Sequence, residues 1–566
     1  MFVRALACLF ILMGTPATSE AAGSLRDSPA RRSLPPQAPC DLVITPENAA
    51  IALSRIDDTS LRVICVSAGD YRGAGRIDIV ASGTPTAPRI LRFHPDDGRR
   101  AIQRTQHALF EQMLLLGDWW VIQGLTILPR DPATDFFIAI LRGDYNVLDG
   151  NLLDGIEQRN SAAQTGIFIG AHEGDPAVGN SIQANVIRHG NMQRVPGDYA
   201  GIVLWSAPPP SGDNDHNLIL DNEIYDWGDA IQIADSGQGP CSQAARPRGT
   251  LIEGNDLYLT GDKRIDCATG APSADGDCAC AENAIDIKVP GGLEPDAWTR
   301  VLNNRIWGFR PTRQPSTCGG SGSNGQAIGG ATCAGQLLIA GNAILDSTAG
   351  IHALGNDLIV AANVFHGTHS GTSRPWSGAL LPLPNGSRMR FEFNTVVSVD
   401  NAYDDASSET DTRCNVVVDN LGIASNANTR GADHVTEYNY LFQSPAVNFV
   451  GTTNEVFATA EDSQNEPFCF WRRRWTGPEL ACVPFARPTE ASPQNAGIPH
   501  CNSGLVAPFG FERIGYASIG AVPEPSASAG ATAALAVLST LAGRCGLRRA
   551  TRRRSRPGAP GQREGS

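Results

Sequence analysis

The chain has 566 residues, 42% of them hydrophobic and 18% charged, with a formal net charge of −13. That acidic balance argues against nucleic acid as a partner, and the length allows one elongated domain or two compact ones. Of fourteen cysteines, Cys8 and Cys545 fall in the terminal segments, and the remaining even twelve suit an oxidising compartment better than a reducing cytosol.

At the N-terminus, Arg4 precedes the apolar run ALACLFILMG, Ala5 to Gly14, with small residues at Ser19, Ala21 and Ala22. An apolar stretch of about ten residues is too short to span a bilayer and fits the core of a secretory signal. Residues 1–22 are therefore read as a signal peptide, and the Pro-, Ser- and Arg-rich residues 23–39 as a disordered linker. ENAAIALSRI, Glu47 to Ile56, predicts a short amphipathic helix suited to capping the open end of a solenoid, and LRVICVSAGDY a strand leading into it. Cys40 with Cys65, and Cys469 with Cys482, are the local disulfide candidates. Six cysteines between Cys241 and Cys333 leave their connectivity open, and Cys278-Ala-Cys280 lacks zinc-ribbon spacing.

From about Leu114 to Ile423 a short theme recurs: an asparagine followed by β-formers, a turn, and a second β-run. Its copies begin at Asn151, Asn185, Asn222, Asn255, Asn304, Asn342, Asn363 and Asn394. Such a recurrence marks a solenoid whose coils of roughly two dozen residues carry loops. Asparagine tolerates left-handed backbone geometry and can stack on its own copies. A second register superimposes Gly166-Ile-Phe-Ile-Gly170, Gly201-Ile-Val-Leu-Trp205, Ala230-Ile-Gln-Ile-Ala234, Ala284-Ile-Asp-Ile-Lys288 and Gly350-Ile-His-Ala-Leu354. Period-two alternation turns the isoleucines inward. It leaves two outward columns: Phe168, Val203, Gln232, Asp286, His352, and Gly170, Trp205, Ala234, Lys288, Leu354.

This pattern resembles the pectate-lyase-like superfamily over some 300 residues. The likeness implies an all-β chain folded as a right-handed parallel β-helix, read here as spanning 40–425; past Asn420 the theme fades, and 426–521 is expected to be an irregular region packing on the helix. FCFWRRRWTG in that region is expected to pack against the last coil or to contact sugar through its arginines and tryptophans.

Only two of the 45 basic residues are lysines, Lys263 and Lys288. A lysine, unlike an arginine, can act as a base. On a β-helix wall that chemistry suits β-elimination of a uronic-acid glycan, in which a cation offsets the sugar carboxylate. Calcium takes hard oxygen ligands, and Asp226, Asp229 and Asp235 bracket one register copy while Asp286 lies in the next. Glu282-Asn-Ala-Ile-Asp-Ile-Lys288 resembles the motif around the catalytic lysine of family-nine pectate lyases. That likeness implies Lys288 as the Brønsted base. The calcium aspartates of that family have no one-for-one match here, and a cysteine-bearing insertion, 260–281, separates the aspartates from the lysine. Arg305 and Arg310 are candidate partners for a substrate carboxylate, and Trp205, Trp227, Trp307 and Gln232 for sugar rings and hydroxyls.

At the C-terminus, Val522-Pro-Glu-Pro525 precedes a small-residue apolar run, 527–543, and an arginine cluster from Arg544 to Arg556. In this order the three parts resemble the PEP-CTERM sorting signal of Gram-negative bacteria over 522–566. The resemblance implies an exosortase partner, transient membrane insertion through the apolar segment, and delivery to the cell surface or its exopolysaccharide matrix.

The expected function is thus a calcium-assisted polysaccharide lyase acting, as a monomer, on an acidic polysaccharide. The alternative is a non-catalytic exopolysaccharide-binding or matrix-structural β-helix. A hydrolase using Asp229 and Asp286 would need carboxylates about 5 to 9.5 Å apart, and an epimerase would draw on His216 or His352.

Overall fold

The computed structural model describes residues 39–397 apart from loops, chiefly 159–164, 171–174, 191–199, 207–212, 236–244, 311–324, 367–377 and 382–388. Beyond 397 it describes only the backbone of strands out to residue 488. The expected signal, nearly all of the linker, the side chains of FCFWRRRWTG and the whole 522–566 tail lie outside the described residues. Among those described, no helix is long and apolar enough to cross a membrane.

Three parallel sheets carry the fold, of 14, 14 and ten strands, here called sheets one, two and three. Through most of its length, each coil contributes one strand to each sheet in turn. One coil runs Leu218–Leu220, Glu223–Tyr225, Asp229–Asp235, and the next runs Leu251–Glu253, Asp256–Tyr258, Asn283–Ile287. Equivalent strands of successive coils pair in parallel, which makes the chain a parallel β-helix. The isoleucines behave as their alternation predicts: Ile138, Ile167, Ile202, Ile231, Ile285, Ile328 and Ile351 share one register in sheet three. All seven are fully buried, each contributing about 1.5–3 kcal/mol of burial free energy.

The asparagines form a continuous internal ladder between sheets one and two. Asn255 Oδ1 accepts from the backbone N–H of Asn222 at 2.9 Å and from its Nδ2 at 3.0 Å, while Asn255 Nδ2 donates to Ile219 O at 3.0 Å. The same three bonds recur at Asn185, Asn222, Asn304, Asn342 and Asn363. The left-handed position is not the asparagine itself but the residue before it: Gly150, Ala184, Asp221, Gly254, Asn303, Gly341 and Ala362 all have φ between 55° and 69°. The preceding residue makes the turn, and the asparagine side chain is thereby aimed inward.

A five-residue helix, Ala49–Leu53, follows the first strand, with Ala52 buried. The Cys40–Cys65 disulfide is present, and a second, Cys267–Cys278, staples the insertion between sheets two and three. That insertion holds a small antiparallel pair, Arg264–Ile265 with Cys278–Ala279. Parallel strands continue past residue 425, as far as Glu455–Phe457 in sheet two. An antiparallel hairpin then pairs Ser463–Arg474 with Gly477–Pro488 and sets the backbone of Cys469 opposite Cys482.

Candidate functional site

The outward face of sheet three gathers the polar groups. Val203, Gln232 and Asp286 pair in register on successive strands, and Trp205 pairs with Ala234. The backbone N–H of Lys288 donates to Ile233 O at 2.8 Å, which places Lys288 next to Ala234 in the second column. Lys288 Nζ lies 3.1 Å from Asp286 Oδ2, and its side chain keeps 34% exposure. Gln232 Nε2 faces both Asp229 Oδ2 at 3.3 Å and Asp286 Oδ2 at 3.4 Å. One amide thus bridges two buried carboxylates.

Asp229 is 1% exposed. Burial, reinforced by the Asp286 and Glu282 carboxylates, holds its acid well above the ordinary carboxylate range, against the opposing bond from Asn283 N–H at 2.9 Å. A group so placed is costly to ionise without a nearby positive charge.

Asn283 and Gln326 complete the cluster. Their strands are adjacent and the two residues pair in register. Asn283 Oδ1 is buried and has no hydrogen-bond partner among the described residues. At Gly329 a Cβ would overlap Gln326 Oε1 and stand 2.6 Å from Asn283 Oδ1. Two amide oxygens therefore lean over a backbone position that only glycine leaves open, beside Asp286 on the next strand. Carboxylates of Asp229 and Asp286 with amide oxygens of Asn283 and Gln326 form an all-oxygen donor set, which is the chemistry a hard cation such as calcium requires. The residue types present fit that ion, although Gln232 Nε2 now faces the Oδ2 atoms of both carboxylates and Lys288 Nζ that of Asp286.

The other expected ligands lie elsewhere. Asp226 sits at the corner between sheets two and three, fully buried, accepting from Thr260 N at 2.7 Å and Thr260 Oγ1 at 2.8 Å. Beside it Lys263, 3% exposed, has its amine pushed down to about 8 by burial, with Asp226 opposing that shift. Asp235 ends its strand and accepts from Ala245 N at 3.1 Å. Of the four aspartates, only Asp229 and Asp286 are brought together by Gln232.

The expected substrate residues divide in the same way. Trp205 is half-buried on the sheet-three wall. Trp227 is 1% exposed and packs edge-on against Phe137 at 5.8 Å within the core, so its ring offers no face to a sugar. Trp307 lies on sheet two, stacked on Tyr258 at 4.3 Å and 7°, with Tyr258 stacked in turn on Tyr225 at 4.8 Å. Its ring face is spent on that ladder. Arg305, also on sheet two, pairs with Asp256, and Arg310 pairs with Asp346 at 2.8 Å while donating to Gly276 O. Neither arginine belongs to the Lys288 wall. A part-buried pair that no sequence motif marks is His189 with Asp154, Nδ1 to Oδ1 at 2.8 Å, flanked by Arg188.

No protein-family profile matches the chain, and no curated protein matches it. Among solved structures, the PL6-family alginate lyase AlyGC aligns at a TM-score of 0.47 and 15% identity, over 78% of this chain and 55% of its own. A mannuronic-acid-specific family 6 lyase from human gut microbiota aligns at 0.42 and 12%, over 73% and 82%. A rhamnogalacturonan lyase aligns at 0.36 and 9%, over 75% and 90%. The chain spans about half the length of the first of these.

Proposed function

We propose that the chain is a polysaccharide lyase that cleaves uronic-acid-containing glycans by β-elimination on the outer wall of sheet three. The observation that carries this reading is Lys288: a partly exposed amine held 3.1 Å from Asp286, beside the buried oxygen donors of Asp229 and Asn283. Lys263, the other lysine, is enclosed at a corner and cannot meet a polymer.

In the reaction, the amine of Lys288, once it has given up its own proton, takes the C5 proton of a uronate. The electron pair forms the C4–C5 double bond, the C4–O4 bond breaks, and the departing oxygen takes a proton from solvent. Asp286 fixes the amine within the wall, and Gln232 holds Asp286 and Asp229 in register with each other. Trp205, two strands from Lys288 in the same column, offers an aromatic surface to a neighbouring sugar. Calcium held by Asp229, Asn283, Asp286 and Gln326 would offset the uronate carboxylate and the charge that develops as the proton leaves.

Export by the N-terminal signal, sorting by the C-terminal tail and action at an exopolysaccharide-rich surface complete the proposal, supported by the segments at the two ends of the sequence. The test is Lys288→Arg, which keeps the positive charge but not a base of usable strength. Elimination should fall by at least a hundredfold with an unchanged melting temperature. An active Lys288→Arg variant would put the base elsewhere.

A further inference from the structure

The column that holds Gln232 and Asp286 continues beyond Asp286. Asp286 pairs with Gly329, and the register that joins Ile328 to Ile351 sets His352 next in line. Ile351 points into the core and is fully buried, so alternation turns His352 outward. Gln232 and Asp286 have partners in the cluster. His352 differs: its Nδ1 is buried without a hydrogen-bond partner among the described residues. Burial alone depresses the basicity of its ring, so the imidazole is neutral at physiological pH. A neutral imidazole carries one donor and one acceptor and suits a hydroxyl better than a charge. Nδ1 itself is enclosed, but the ring is only part-buried, so Nε2 is the nitrogen through which it can meet a ligand.

We propose that His352 is a substrate-binding residue, forming a hydrogen bond with a hydroxyl of a sugar unit two strands along the wall from Asp286. Two strand spacings place this contact about 10 Å from the Asp286 position. The binding site therefore extends along the solenoid axis across Gly329, and a glycan must be long enough to reach His352 before it gains the contact. This inference rests on the lyase reading of the wall.

The test uses the full chain carrying Lys288→Arg, so that oligouronates bind without being consumed, with affinity measured by calorimetry across a length series. Adding His352→Ala should weaken binding of the longer oligomers by about three- to tenfold, the worth of one neutral hydrogen bond, and leave the shortest unaffected. His352→Gln, which keeps a donor and an acceptor, should recover part of the loss, and this separates a lost contact from a disturbed fold. In the otherwise unaltered enzyme, His352→Ala should raise KM for long substrates while kcat is preserved. Equal binding at every length with and without the imidazole overturns the inference and leaves the Lys288 reading standing. Failure of the Lys288→Arg chain to bind any oligouronate overturns both.

Discussion

Replacing Asn255 by alanine removes one rung of the internal ladder, and its cost can be worked from the bonds lost. The backbone N–H of Asn222, one Nδ2 hydrogen of Asn222 and the carbonyl of Ile219 each lose a partner. Asn222 is 1% exposed and Ile219 fully buried, so water cannot replace the lost bonds without entering the core. Asn304 Oδ1 keeps its bond from the Asn255 backbone N–H, so damage on that side is smaller. At about 1–3 kcal/mol for each orphaned buried group, with some relaxation, the loss should be about 4 kcal/mol. Urea denaturation of the purified chain, followed by far-ultraviolet circular dichroism, reads this as a fall in midpoint at unchanged slope. Asn255→Leu provides the control: it fills the space but makes none of the bonds, so it should be nearly as unstable as alanine. If leucine restores the native midpoint, the ladder acts through packing and the hydrogen-bond argument is wrong.

Further predictions concern the charged groups. Calcium at a hundred times its dissociation constant should stabilise the chain by about 2.7 kcal/mol, read as a rise in melting temperature. Asp229→Asn and Gly329→Ala should each abolish that rise, the second because its Cβ displaces the amide oxygens of Asn283 and Gln326. Identical melts with calcium and with chelator would remove the cation site. For Lys263, the folded state lowers the amine to about 8 from 10.5. The unfolded chain then binds the extra proton between those values, so this group adds stability as pH rises from about 8 to 10.5, about 3 kcal/mol in total. Stability curves of native and Lys263→Met chains should therefore diverge across that interval; parallel curves would show that burial does not perturb the amine.

Much of this architecture could be read from the repeats, because a solenoid repeats its physics at each coil. The asparagine copies mark the ladder, and the isoleucine alternation gives the sheet-three register, including Gln232 beside Asp286. Gln326-Ala-Ile-Gly-Gly330 escaped the alignment because glycines replace its outward side chain and second inward aliphatic. That coil supplies Gln326 and Gly329, the part of the oxygen cluster the motif could not indicate. The aspartates were harder to place. Asp226 and Asp229 are three residues apart in sequence, yet the corner between sheets two and three turns one toward Thr260 and the other toward Gln232. Tryptophans likewise carry no mark in sequence of whether a ring faces solvent, core or another ring. Trp205, Trp227 and Trp307 take half-buried, core and stacked positions respectively.

The central claim is elimination at the sheet-three wall, and the product's conjugated double bond reports it directly. The purified chain should be incubated with a panel of polyuronates and acidic exopolysaccharides, with calcium and with chelator, while ultraviolet absorbance of the unsaturated sugar is followed. A steady rise is expected with at least one substrate when calcium is present, and little or none with chelator. A flat trace across the whole panel, from protein that nonetheless binds those glycans, would contradict it and identify the wall as a binding surface without chemistry.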